Sequence, residues 1–210
     1  DVCSSDLGSI GNLSAMAVGR DVGRPTRTAV AVADTVHASV HNALHLLGVD
    51  DVIVVPSDGC CTGSALAAAV GDRVDVGMMI ASAGSTNAGV IDDLSGIADV
   101  CERLGAWLHV DAAYGGAALL LPELRGRFAG IERADSVIID PHKWLFAPSG
   151  SCALLYRDPA KAAAVHTQHG PYLDILHASD EPVWNPSDYG FQDRKSTRLN
   201  SSHITISYAV

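Results

Sequence analysis

Six short apolar runs punctuate the chain: Thr28 to Ala33, Val52 to Val55, Met78 to Ala83, Trp107 to Val110, Ser136 to Ile139 and Cys152 to Tyr156. Each is too short for a helix and is edged by turn or polar residues, so each reads as a buried strand. The segments between them carry helical spacing. Asp92 to Leu104 places Leu94, Ile97, Ala98, Cys101 and Leu104 on one face, with Asp92 as the expected N-cap and Gly105 as the stop. Ser39 to Leu47, through Val40, Ala43, Leu44 and Leu47, and Thr62 to Val70 read similarly. Alternation of this kind predicts an α/β fold, a mostly parallel sheet with helices on both faces. No internal repeat, low-complexity linker or charge block interrupts it.

The ends stand apart from this pattern. Asp1 to Leu7 can be encoded as GAC GTG TGC TCT TCC GAT CT, and the reverse complement of that DNA, read from its second base, encodes Asp-Arg-Lys-Ser-Thr-Arg, the residues from Asp193 to Arg198. An inverted repeat around an open frame has the form of sequencing-adaptor DNA. Residues 1–7 and 193–210 are therefore expected to be adaptor-like artefact, and residues 8–192 one partial domain, an internal piece of a longer protein. The formal net charge of −10 is unaffected, because the two flanks contribute −2 and +2. An acidic domain is a poor partner for a phosphate backbone, so no nucleic acid is expected. No stretch reaches the ~20 apolar residues of a membrane span. With 48% hydrophobic and 18% charged residues there is ample material for one core. Cys60, Cys61, Cys101 and Cys152 show neither paired metal spacing nor a disulfide framework, which points to reduced thiols and a cytoplasmic setting.

Two strand ends carry the chemistry. Lys143 lies in Asp140-Pro141-His142-Lys143-Trp144, and 32 positions upstream (143 − 111) Asp111 lies in His109-Val110-Asp111-Ala112-Ala113-Tyr114-Gly115-Gly116. An apolar run precedes each, so an acid and a lysine fall at the carboxyl ends of strands, where open α/β sheets bind ligands. An amine that forms a Schiff base with an aldehyde, and a carboxylate that holds a pyridine nitrogen, suggest pyridoxal 5'-phosphate (PLP).

These two motifs, in this order and with a matching intervening helix, resemble the group II PLP-dependent decarboxylases, which include aromatic-amino-acid, glutamate and cysteine-sulfinate decarboxylases. The resemblance extends over Gly8 to Gln192 and includes Ser82 to Asp93 and Ser151 to Tyr156. It implies the type I, aspartate-aminotransferase-like PLP fold, here incomplete, a homodimer and a small amino acid substrate. By position, Lys143 would form the Schiff base and Asp111 would keep the pyridine nitrogen protonated. His37 would stack on the ring, Thr86 and Ala113 would line it, and His142 would stand beside the lysine. Gly8 to Leu13, running into a helix over Ser14 to Arg20, resembles a Gly-rich phosphate loop with Ser9 as ligand. Asp140 would help anchor the phosphate. Tyr172, 29 residues after the lysine (172 − 143), matches a loop tyrosine that protonates the substrate carbon after carbon dioxide leaves.

His37 has a competing reading, because His37, His41 and His45 recur at the i, i+4, i+8 spacing of one helix face. No Cys, Asp or Glu completes a metal site there. The function expected is decarboxylation of an L-amino acid, aromatic by preference, to the amine and carbon dioxide. The alternatives are another type I PLP enzyme, an aminotransferase or lyase, and a piece inactive by itself.

Overall fold

The computed structural model describes residues 2–5, 8–23, 26–148, 150, 152–168 and 186–191. Among these residues seven strands form one sheet: β1 (Val2–Ser5), β2 (Ala29–Ala33), β3 (Val52–Val55), β4 (Val76–Ser82), β5 (Trp107–Asp111), β6 (Ser136–Ile139) and β7 (Cys152–Tyr156). Their order across the sheet is β1-β7-β6-β5-β4-β2-β3. The strands from β3 through β6 are parallel, whereas β7 runs antiparallel to β6, and β1 antiparallel to β7 at the edge. The chain steps outward from β2 to β3 and returns past β2 to β4, so the strand order reverses between β2 and β4. A crevice opens at such a reversal, at the strands' carboxyl ends.

The helices are α1 (Gly8–Gly23), α2 (Ala38–Leu46), α3 (Gly63–Val70), α4 (Leu94–Leu104) and α5 (Pro159–His166). Successive strand residues point to opposite faces, and the two faces build separate cores. Leu108, Val110, Met79 and Ala81 pack with Leu66 of α3 and Leu94 and Ile97 of α4. Trp107, Met78, Ile80 and Ile138 pack on the other side with Met16 of α1, Leu44 of α2 and Ala162 of α5. All seven residues of β4 are buried, as expected of a strand covered on both faces.

The strands and the middle helices match the sequence expectation closely, with three corrections. Asp93 rather than Asp92 caps α4: its carboxylate accepts from the Gly96 and Gly63 N–H groups at 3.0 and 3.2 Å. Asp92 is 3% exposed and accepts instead from the Cys61 and Ser82 backbone N–H groups, at 2.8 and 2.7 Å. It thereby ties the start of α3 to the end of β4, and burial pushes its carboxyl above the ordinary carboxylate value. Second, α1 begins at Gly8, so Gly8 to Leu13 form helical turns rather than a loop. Third, His37 is the N-cap of α2 and not a residue of it. Gly105 does end α4, in the left-handed conformation (φ 61°) that glycine adopts at little cost.

Candidate active site

Four sequence segments converge on the carboxyl end of the sheet. Asp111 is the last residue of β5, aligned with Ser82 of β4 and Ile138 of β6. Its side chain is held on both oxygens: Oδ1 accepts from the Ala113 N–H at 3.0 Å and Oδ2 from Asn12 Nδ2 at 2.9 Å. Lys143 stands in the turn that follows β6, its backbone N–H donating to the Asp140 carbonyl at 3.0 Å. Its Nζ lies 3.0 Å from Asp140 Oδ2, and its side chain is 39% exposed while that of Asp140 is 2% exposed. The residue after the lysine, Trp144, stacks on Tyr114, with ring centroids 5.3 Å apart and planes 12° off parallel. That contact joins the lysine turn to the turn after Asp111.

A cavity of about 220 Å³ lies between these groups. Every predicted site residue within the described set lines it: Ser9, His37, Thr86, Asp111, Ala113, His142 and Lys143. Tyr172 lies outside the described residues. His37 enters from the start of α2, where its Nδ1 accepts from the Ser39 N–H at 3.2 Å and lies 2.8 Å from the Ser39 hydroxyl. The helical reading of three histidines therefore separates: His37 lines the cavity, while His41 and His45 are exposed on α2. Among the described residues no cluster of His, Cys, Asp and Glu could hold a metal ion.

The donor set fits PLP. Gly8 and Ser9 bring the first turn of α1, with its unpaired N–H groups and positive dipole end, to the cavity wall, which suits a phosphate. Gly8 approaches Asp140 so closely that a Cβ there would sit 2.4 Å from Oδ2. Asp140 pairs with Lys143 and, as an ionised acceptor-only group, has no hydrogen to offer a phosphate. Its other oxygen, Oδ1, is buried with no hydrogen-bond partner among the described residues, an unmet acceptor beside the lysine. The carboxylate of Asp111, the amine of Lys143 and the hydroxyls of Ser9, Ser85 and Thr86 complete a lining that can hold a pyridine nitrogen, an aldehyde and a phosphate.

Sequence reasoning passed over Asn12, His109 and Ser136. His109 Nε2 lies 2.9 Å from Asn12 Oδ1, and His109 Nδ1 lies 2.8 Å from Ser136 Oγ. Ser136 Oγ also accepts from Trp107 Nε1 at 3.0 Å. The signal was there in the strand period: two residues before Asp111, His109 must share its face, and the β5–β6 register sets it opposite Ser136. His109 is fully buried, and that burial holds its imidazole well below the ordinary value, against the opposing pull of Asp111.

A lysine and a carboxylate at neighbouring strand ends of a mainly parallel sheet, with a helix N-terminus beside them, define a PLP site on the type I fold. The comparisons agree. Residues 20–185 match the pyridoxal-dependent decarboxylase conserved domain, and the chain belongs to that family. Tryptophan decarboxylase 1 of Oryza sativa subsp. japonica is 34% identical over 73% of this chain and 32% of its own length. Glutamate decarboxylase of Drosophila melanogaster is 33% identical over 79% of this chain and 36% of its own. The crystal structure of Oryza sativa TDC with PLP and tryptamine superimposes with a TM-score of 0.83 at 26% identity, over 90% of this chain and 43% of that one. The chain thus spans about a third of the curated relatives it matches. Its cofactor is pyridoxal 5'-phosphate.

Proposed function

We propose that the full-length protein decarboxylates an L-amino acid, aromatic by preference, at the cavity between Asp111 and Lys143, releasing the amine and carbon dioxide. The observation that carries this is the convergence of Asp111, Lys143, His37 and the start of α1 on one cavity in a chain of the decarboxylase family. The aromatic preference is supported by the tryptophan decarboxylase relative and by the neighbour solved with tryptamine.

PLP, when bound, supplies a protonated ring that takes up the electron pair left on carbon as the carboxyl group departs. The chain's part is to bind and orient. Lys143 Nζ would hold the aldehyde carbon covalently, and Asp140, 3.0 Å away, fixes where that amine points. Asp111, with one hydrogen bond already on each oxygen, keeps lone pairs that would accept a hydrogen bond from the protonated ring nitrogen. Ser9 and the first N–H groups of α1 would receive the phosphate. His37 would cover one face of the ring, Thr86 and Ala113 would line it, and His142 would stand beside the lysine. Tyr172, outside the described residues, is assigned the proton donated to the substrate carbon on the strength of the family resemblance.

The reading extends to a homodimer in a reducing, cytoplasmic compartment. Leu145 and Phe146, in the lysine turn itself, are 42% and 86% exposed, apolar surface of the kind a second subunit covers. Cys60, Cys61, Cys101 and Cys152 are all free thiols, which supports the compartment. No helix among the described residues is long and apolar enough to cross a membrane.

Product analysis tests the proposal. Full-length protein with PLP, offered L-tryptophan, L-tyrosine and L-glutamate separately, should release carbon dioxide and the matching amine fastest from an aromatic substrate. Keto-acid products would assign an aminotransferase instead, and a preference for glutamate would overturn the aromatic assignment alone.

A further inference from the structure

Behind Asp111 runs a file of buried side chains with no part in the steps above: Trp107, Ser136, His109 and Asn12, linked at 3.0, 2.8 and 2.9 Å and ending on Asp111 at 2.9 Å. Asn12, His109 and Ser136 are 2%, 0% and 1% exposed. Burying three polar side chains costs stability unless they find partners, and here each is hydrogen-bonded on two sides.

The direction of the file is fixed from both ends. A carboxylate only accepts, so Asn12 turns its amide N–H₂ to Asp111 and its oxygen to His109. That oxygen needs a donor, so His109 carries its proton on Nε2. Burial keeps the ring neutral, which leaves Nδ1 bare, and Ser136 donates its hydroxyl proton there. At the far end the Trp107 indole, a donor only, gives to Ser136 Oγ. Every hydrogen bond therefore points toward Asp111. With the other His109 tautomer, Asn12 would turn its oxygen on Asp111 and set two acceptors against each other.

We propose that Asn12 and His109 are positioning residues for Asp111: the tautomer of His109 sets the amide orientation of Asn12, which leaves a fixed lone pair of Asp111 facing the cofactor's ring nitrogen. This rests on the assignment of Asp111 to that nitrogen. Of the file only Asn12 lines the cavity, so His109 acts through Asn12 and the carboxylate.

Two measurements on the full-length protein test it. The first is the imidazole ¹⁵N spectrum of the apo-protein, with His109 assigned by loss of its signal in His109→Gln. A neutral ring protonated at Nε2 is expected, whereas a ring protonated at Nδ1, or a cation at neutral pH, overturns the inference without reference to any variant's stability. The second is a double-mutant cycle on PLP affinity. Asn12→Ala and His109→Leu should each weaken binding about tenfold, as lost outer-sphere partners commonly do. His109→Gln, whose amide can still donate to Asn12, should stay within about threefold. In an Asp111→Asn background Asn12→Ala should cost nothing further, because its route to the cofactor is gone. Additive losses, or wild-type affinity in Asn12→Ala, overturn the positioning role and leave the assignment of Asp111 standing. Wild-type affinity in Asp111→Asn would remove that assignment and the positioning role together.

Discussion

The two faces of β5 are offset by a single residue and do opposite work. Leu108 and Val110 point toward α3 and α4 into a layer built almost wholly of aliphatic side chains. Trp107, His109 and Asp111 point toward α1, where hydrogen bonds run from the bottom of the strand to the cavity. One face is a source of stability through burial, and the other spends some of it to orient a carboxylate. The strand's alternation keeps the two jobs apart, so damage to one face should leave the other's function largely intact.

The largest expected effect lies on the site side. Lys143→Ala should lower turnover by roughly 10³-fold or more, since it removes the one lysine among the described residues that lines the cavity. The variant also takes the amine partner from the buried Asp140 carboxylate, so the urea midpoint should fall modestly without collapsing. A collapsed midpoint would break the separation of faces. The converse variant is Leu108→Ala, 1% exposed, which should cost about 2–5 kcal/mol in urea unfolding with PLP affinity near wild type.

A pH effect sharpens the contrast, because the hydrogen-bonded face holds the buried histidines. Burial pushes both His109 and His166 below the ordinary imidazole value of 6.5. The folded state then binds fewer protons than the unfolded one. The stability these groups contribute is complete above pH 6.5 and is lost as pH falls from there toward their folded values. Unfolding titrations should show a loss approaching about 1.4 kcal/mol per pH unit from His109, with a further loss from His166 that His166→Gln removes. A flat profile between pH 6.5 and 5 would mean that neither ring is held neutral. The smallest effect belongs to the aliphatic face's helix caps: Thr62, whose hydroxyl accepts from the Ala65 N–H at 3.1 Å, should cost about 1 kcal/mol when changed to Ala, with unchanged turnover.

The fold was legible because each strand is a short run of apolar residues closed by turn chemistry, and a parallel sheet needs little else. Ser136–Ile139 and Cys152–Tyr156 fall where the apolar runs place them. Helix starts were harder. Asp92 and Asp93 are adjacent acids, and only tertiary structure decides that Asp93 faces the α4 amides while Asp92 turns inward. The site residues Asp111 and Lys143 announced themselves through their strand-end contexts, but the file behind Asp111 did not. Asn12 reaches it across 99 positions of sequence, from a helix whose first turns read as a loop. Long-range polar pairing leaves no periodic trace, and a lone His in an apolar strand looks like any buried residue until its partner is in place.

Whether Lys143 is the cofactor lysine is decided by reduction of the PLP-loaded full-length protein with borohydride followed by peptide mass mapping. Lys161 is the informative control, because its Nζ lies 5.9 Å above the Trp107 ring and outside the cavity lining. A phosphopyridoxyl mass on the peptide containing Lys143, and on no other, is the predicted result. The label on Lys161, or an unmodified Lys143 in a protein that has taken up PLP, would contradict it.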